Sequence, residues 1–174
     1  MALHSTKFWD FSNQLYDKDG VTEICLNLQE ELEVDVNLVL FCYWIAYFKH
    51  GPSVAEWTKI FKFSINWQKH TVKPIRNARK SLSIKHTSNN VEDTDYTELR
   101  RQLKINELRA EKIQQDTIQS FIKVKSRENN SFSSDEALTN LSYYFSLLNI
   151  TQTKKIKEKL LMICLLYTSP SPRD

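Results

Sequence analysis

The sequence predicts an all-α protein: a single-domain bundle of about seven or eight helices packed around one buried central helix. Three observations carry this. The 174 residues include only two glycines and four prolines, whereas β-rich chains need many tight turns that lean on both. Apolar residues recur at i, i+3, i+4 and i+7 along several segments, the period of a helix with one buried face. The stretch from Leu38 to Phe48 is apolar nearly all round, which only enclosure by other helices can satisfy. Hydrophobic residues at 41% and charged residues at 26% give an ordinary globular balance, and the length suits one domain with a sizeable core.

A first helix is expected from about Thr6 to Tyr16, with Phe8, Phe11 and Leu15 on one face. Asp17 to Gly20 ends it, because glycine readily takes the left-handed conformation found past helix ends. Val21, Ile24, Cys25, Leu28 and Leu32 then form a single stripe at helical period. Asp35 is placed to cap a third helix, Val36 to Lys49, by accepting from its free N–H groups. After Gly51-Pro52, Ser53 and Glu56 match a capping box, in which each side chain satisfies the other residue's backbone N–H. A fourth helix should therefore run to about Phe63, burying Trp57 and Ile60 or Phe61. A fifth, roughly Ile65 to Ser83, carries Val72, Ile75, Ala78 and Leu82 on one face, and Pro74 inside it predicts a kink or break.

Residues 86–94 read as a polar linker between this five-helix part and a C-terminal part. A long charged helix from Asp95 to Lys125 follows, with a thin apolar stripe at Leu99, Leu103, Ala110, Ile113 and Phe121. Ser133 and Glu136 repeat the capping-box spacing ahead of Leu141, Tyr144, Phe145 and Leu148. A last amphipathic segment spans Thr153 to Ile163. Residues 164–174 match, in frame, the translation of a transposase-based sequencing-library adapter. They are expected to be non-native, leaving 1–163 as the helical domain and the natural chain interrupted near Ile163.

The N-terminus carries no secretory pattern, and the longest apolar run is too short for a bilayer, which takes about 20 residues. A cytoplasmic protein without a membrane span is the expectation. Setting Cys164 aside with the tail, Cys25 and Cys42 each fall on the apolar side of a predicted helix and read as small buried hydrophobes. His4, His50, His70 and His86 are scattered, without spacing suited to a metal. There is no glycine-rich phosphate loop, no Gly-x-Ser-x-Gly, no Cys-x-x-Cys and no Glu-x-x-His, so nothing points to a cofactor, a metal or a catalytic residue.

Two surfaces remain as candidates. Residues 64–86 hold six bases and no acid, against nine acids and five bases in residues 1–63. Lys69, Lys73, Arg76 and Lys80 follow i, i+4, i+7, i+11 and form a cationic stripe, suited to an acidic protein or to nucleic acid. The same stripe also reads as a solvated face turned toward the acidic N-terminal half, with Arg76 and Arg79 as ion-pair partners of Asp10 or Asp35. The second candidate is an aromatic-lined pocket for a small ligand or substrate, near Trp9, Asp35, Asn37 and Trp44. Against it stand capping by Asp35, a buried hydrogen-bonding role for Asn37, and ordinary core packing by the aromatics. Binding of a macromolecular partner through the basic face, without catalysis, is the leading expectation.

The stretch from Phe8 to Leu82 resembles a mostly proteobacterial family catalogued as a domain of unknown function. The residues that carry the likeness are Phe8-Trp9-Asp10-Phe11-Ser12, Leu15-Tyr16, Gly20-Val21, Cys25-Leu26, Leu28-Gln29, Asp35-Val36-Asn37-Leu38, Leu40-Phe41-Cys42 and Trp44. Trp67, Val72, Pro74-Ile75-Arg76 and Arg79 continue it, with Ile75 where members usually have leucine. Beyond His86 the likeness is limited to a long helix rich in Glu, Leu and Arg. The resemblance implies a helical, bacterial, cytoplasmic protein and supplies no activity.

Overall fold

Apolar side chains spaced at the helical period have one economical way to leave water, which is to face a common interior from several helices. The computed structural model describes residues 7–48, 51–82, 93–123 and 132–168, and shows that solution. Its elements are α1 (Phe8–Tyr16), α2 (Val21–Leu32), α3 (Val36–Ile45), α4 (Val54–Trp67), a π-helical turn (Gln68–Val72), α5 (Lys73–Ser81), α6 (Asp93–Ser120), α7 (Ser134–Leu147) and α8 (Lys154–Thr168). No strand occurs among the described residues. None of these helices is long and apolar enough to cross a membrane.

The central helix is where the sequence places it. Every α3 residue from Asn37 to Ile45 is buried, and α1, α2, α6 and α7 pack around it. Aromatic rings fill the space between: Phe8 stacks on Trp44 at 5.3 Å and Trp57 meets Phe41 edge-on at 5.5 Å. Burying rings of this size dominates core energetics. The hydroxyl of Tyr43 donates to the Leu160 carbonyl at 2.8 Å and fastens α8 to the centre.

The stops and starts follow local chemistry. Gly20 has φ 86°, the left-handed value expected of a helix stop. Asp35 accepts from the Asn37 N–H at 2.9 Å. Ser53 and Glu56 form the reciprocal capping box, and Ser133 accepts from the Glu136 N–H. The α1 and α2 stripes are buried apart from Leu32, which is half-buried.

Several expectations need correction. There is no break near Ser64: α4, the π turn and α5 run as one rod from Val54 to Ser81. Pro74 does not end it. It has no N–H for the His70 carbonyl and its ring crowds that carbonyl, and the turn ahead of it widens to the π form instead. The proposed apolar face of the fifth helix is interior only at Val72, which is fully buried; Ile75 and Leu82 are half-buried, Ala78 is exposed, and α5 itself contains no buried residue. On α6 the predicted stripe fails in part: Leu99 and Ile113 are 52% and 45% exposed, while Glu107, Gln114 and Gln115 are buried. Finally, α8 continues past Ile163 to Thr168 with Cys164 buried, so part of the adapter-like segment takes helical form. Of the remaining expectations, Thr6, Lys49, Lys125, most of the 86–94 linker and residues 169–174 lie outside the described residues.

Candidate functional site

A cavity of about 1150 Å³ opens between α1, the C-terminal end of α2, the start of α3, the α4–α5 rod and α6. Both sequence candidates meet here. Lys69, Lys73, Arg76 and Lys80 line it, as do Trp9, Asp35 and Asn37. Trp44 does not: it is fully buried in the aromatic core, because α3 points that position at Phe8 and Phe41.

Asp35 anchors the floor. The chain turns into it through Glu33, which has a left-handed φ of 54°, and Val34, which is buried. The two carboxylate oxygens accept four hydrogen bonds. Oδ1 accepts from the Asn37 N–H at 2.9 Å and from Gln68 Nε2 at 3.1 Å. Oδ2 accepts from Ser64 Oγ at 3.1 Å and Gln114 Nε2 at 2.5 Å. The Asp35 N–H in turn donates to the Tyr144 hydroxyl at 2.9 Å. Burial pushes the Asp35 carboxyl above its ordinary range, while its hydrogen-bond donors and nearby Arg76 favour the charged form.

This anchor orients a chain of amides. An ionised carboxylate only accepts, so Gln114 turns its Nε2 toward Asp35 and its Oε1 toward Asn37 Nδ2, at 2.8 Å. Asn37 Oδ1 then accepts from Gln115 Nε2 at 2.7 Å. Gln115 Oε1, at the end of the relay, is buried and has no hydrogen-bond partner. The π turn contributes Gln68, whose Nε2 also reaches Gln114 Oε1 at 3.0 Å; such turns are frequent at functional sites.

One turn further along the rod lies an ion cluster. Arg76 Nε and Arg79 Nε donate to the two oxygens of Glu107, at 2.6 and 2.5 Å, and Arg76 Nη2 donates to Glu111 at 2.8 Å. The expected partners, Asp10 and Asp35, are thereby replaced by two α6 carboxylates. Burial works against Glu107, yet the Arg79 and Arg76 hydrogen bonds hold its carboxyl below the usual range. For Glu111 burial prevails over Arg76 and its carboxyl is raised. The Tyr16 phenol, facing the same space, is pushed by burial up to about 12.

The four basic stripe residues therefore divide. Arg76 is committed inward to Glu107 and Glu111, while Lys69, Lys73 and Lys80 are exposed at the rim. Lys104 of α6 joins them, a residue that no periodicity or motif singles out. Glu30 and Glu33 border the cavity from α2, on the other side. Ser64, Gln68, Glu107, Gln114 and Gln115 were also missed, since polar residues on amphipathic helices read as solvent-facing. Cys25 and Cys42 are free, buried thiols, and burial pushes Cys25 up to about 12. No cluster of potential metal ligands occurs among the described residues.

The fold and this site define a class: an all-helical protein with an open, mixed-charge groove floored by a buried amide–carboxylate network. The chain belongs to the family described as "Protein of unknown function (DUF2390)", which matches residues 7–118. That span runs from the start of α1 to Ile118 near the end of α6, and so includes all of the groove except what α7 adds. No curated protein and no solved structure matches the chain.

Proposed function

We propose that this is a non-enzymatic, cytoplasmic binding protein whose groove receives an acidic segment of a partner protein, gripped by Lys69, Lys73 and Lys80. The observation that carries this reading is the convergence of the lysine rim and the polar floor on one open cavity. At about 1150 Å³ it exceeds the roughly 300–1,000 Å³ usual for small-molecule sites, which favours a stretch of chain over a metabolite. Leu26, Ile65 and Leu108 line it and are 45, 50 and 53% exposed, supplying apolar contact between the charges. The acids of the floor are engaged as hydrogen-bond acceptors and ion-pair partners, an arrangement that rigidifies a binding surface.

A fluorescein-labelled glutamate-rich peptide provides the test, read by anisotropy at two salt concentrations. Binding should weaken at least about tenfold in the triple variant Lys69→Glu, Lys73→Glu, Lys80→Glu, and weaken with salt as rim electrostatics require. Undiminished binding by the triple variant would reject the lysine rim. Preference for a single-stranded oligonucleotide over the peptide, with a steep salt slope, would replace the acidic protein by nucleic acid.

A further inference from the structure

Two buried polar atoms beside the same cavity lack any partner: Ser12 Oγ and Gln115 Oε1. Their residues are 3% and 2% exposed, and both line the cavity. The Phe8 N–H donates to Gln119 Oε1 at 2.9 Å and ties α1 to α6. Ser12 lies one turn after Phe8 on α1 and Gln115 one turn before Gln119 on α6, and both line the cavity together with Tyr16 and Glu111. Neither atom bonds the other.

Flipping the Gln115 amide cannot relieve this, because its Nε2 is held by Asn37, Asn37 by Gln114 and Gln114 by Asp35. The relay therefore presents a fixed acceptor. Buried acceptors without donors are rare in folded proteins and costly, so a donor is the natural complement. Glu111 lies one turn before Gln115 on the same helix face. It pairs with Arg76, but the three carboxylates of the floor, Asp35, Glu107 and Glu111, outnumber Arg76 and Arg79. Tyr16 adds an aromatic wall, which attracts cations.

We propose that this end of the cavity is a binding site for a primary ammonium group, with Gln115 Oε1 and Ser12 Oγ accepting its N–H donors beside the acid-rich floor. The site stands whatever the lysine rim binds. The ammonium can come from a lysine side chain or from a free small amine, and the probes separate the two.

Titrating butylammonium chloride at constant ionic strength should shift the Gln115 side-chain NH₂ resonances saturably in ¹⁵N-resolved NMR spectra. Tetramethylammonium, which has charge but no N–H, should leave them in place. Ser12→Ala removes an oxygen that bonds nothing, so the variant keeps its fold, and its affinity for butylammonium should fall about tenfold, the worth of one hydrogen bond to a charged group. Nα-acetyl-lysine amide binding at least as tightly would assign the site to lysine side chains; binding by butylammonium alone would assign it to a small amine. Absence of a saturable shift with either amine, an equal shift with tetramethylammonium, or undiminished affinity in Ser12→Ala would overturn the proposal.

Discussion

Asp35 shows how one side chain can set both a helix start and a site. Its four donors come from residues 37, 64, 68 and 114, so a single carboxylate ties α3 to the α4–α5 rod and to α6. Asp35→Ala removes the cap and strands several buried donors, and should cost about 3 kcal/mol in urea denaturation. Asp35→Asn keeps a capping oxygen but turns an NH₂ toward donors, and should cost about 1–2 kcal/mol. The pH dependence separates the two effects. Burial raises the Asp35 pKa in the folded state, so the folded protein binds this proton more tightly than the unfolded chain. Its contribution to stability is greatest below the unfolded value of about 3.9 and declines as pH rises through the folded value. The urea midpoint of Asp35→Asn should lose that decline, which spans the interval between the unfolded and the folded value. The capping role was legible, since Asp before an apolar run is a start signal. The partners were not, because nothing local links position 35 to positions 64, 68 and 114.

At the scale of the element, α5 is docked by charge. It buries no residue of its own, and what holds it to α6 is Arg76 and Arg79 on Glu107 and Glu111. This explains why periodicity misled: the stripe rule assumes an apolar interior, whereas the inward face of α6 is built from Glu107, Gln114 and Gln115 to meet arginines and Asp35. Only Ala110 and Ile118 give that face its apolar element. The π turn was equally invisible, although Pro74 marked the place where the helix had to adjust. Glu107→Ala leaves two arginines facing a poorly solvated wall and should cost about 3 kcal/mol, toward the low end for breaking a buried pair because the arginines retain some solvent contact. The loss should be local. Amide hydrogen exchange in α5 should accelerate in Glu107→Ala while exchange in α3 is unchanged. Acid should act in the same direction on the wild type. The Arg79 and Arg76 bonds depress the Glu107 pKa against burial, so this stabilisation is present above about pH 4.3 and is lost as pH falls through the folded value. Equal acceleration across all helices would show that the ion cluster is not the hinge between α5 and the bundle.

For the molecule as a whole, stability and binding are separated in space. The aromatic core around α3 joins α1, α2 and α7, while the polar network lies at the start of α3, where Asp35 and Asn37 meet Ser64, Gln68, Gln114 and Gln115 of the rod and α6. The first half of this division was readable because α3 is apolar on every side. The second depended on which polar residues tertiary packing would bury, and no periodicity records that. Phe41 tests the division: it is fully buried and touches the rings of Phe8, Trp44 and Trp57. Phe41→Ala should cost about 3–5 kcal/mol, a large share of the roughly 5–15 kcal/mol that holds a typical domain together. Because α3 touches helices on both sides, exchange should accelerate in every helix at once. Co-operative loss in Phe41→Ala beside local loss in Glu107→Ala would mean that the groove can loosen and re-form on a core that stays folded, as a surface that must admit a partner requires. Uniform loss in both variants would mean instead that groove and core unfold as one unit, and the groove could not open on its own.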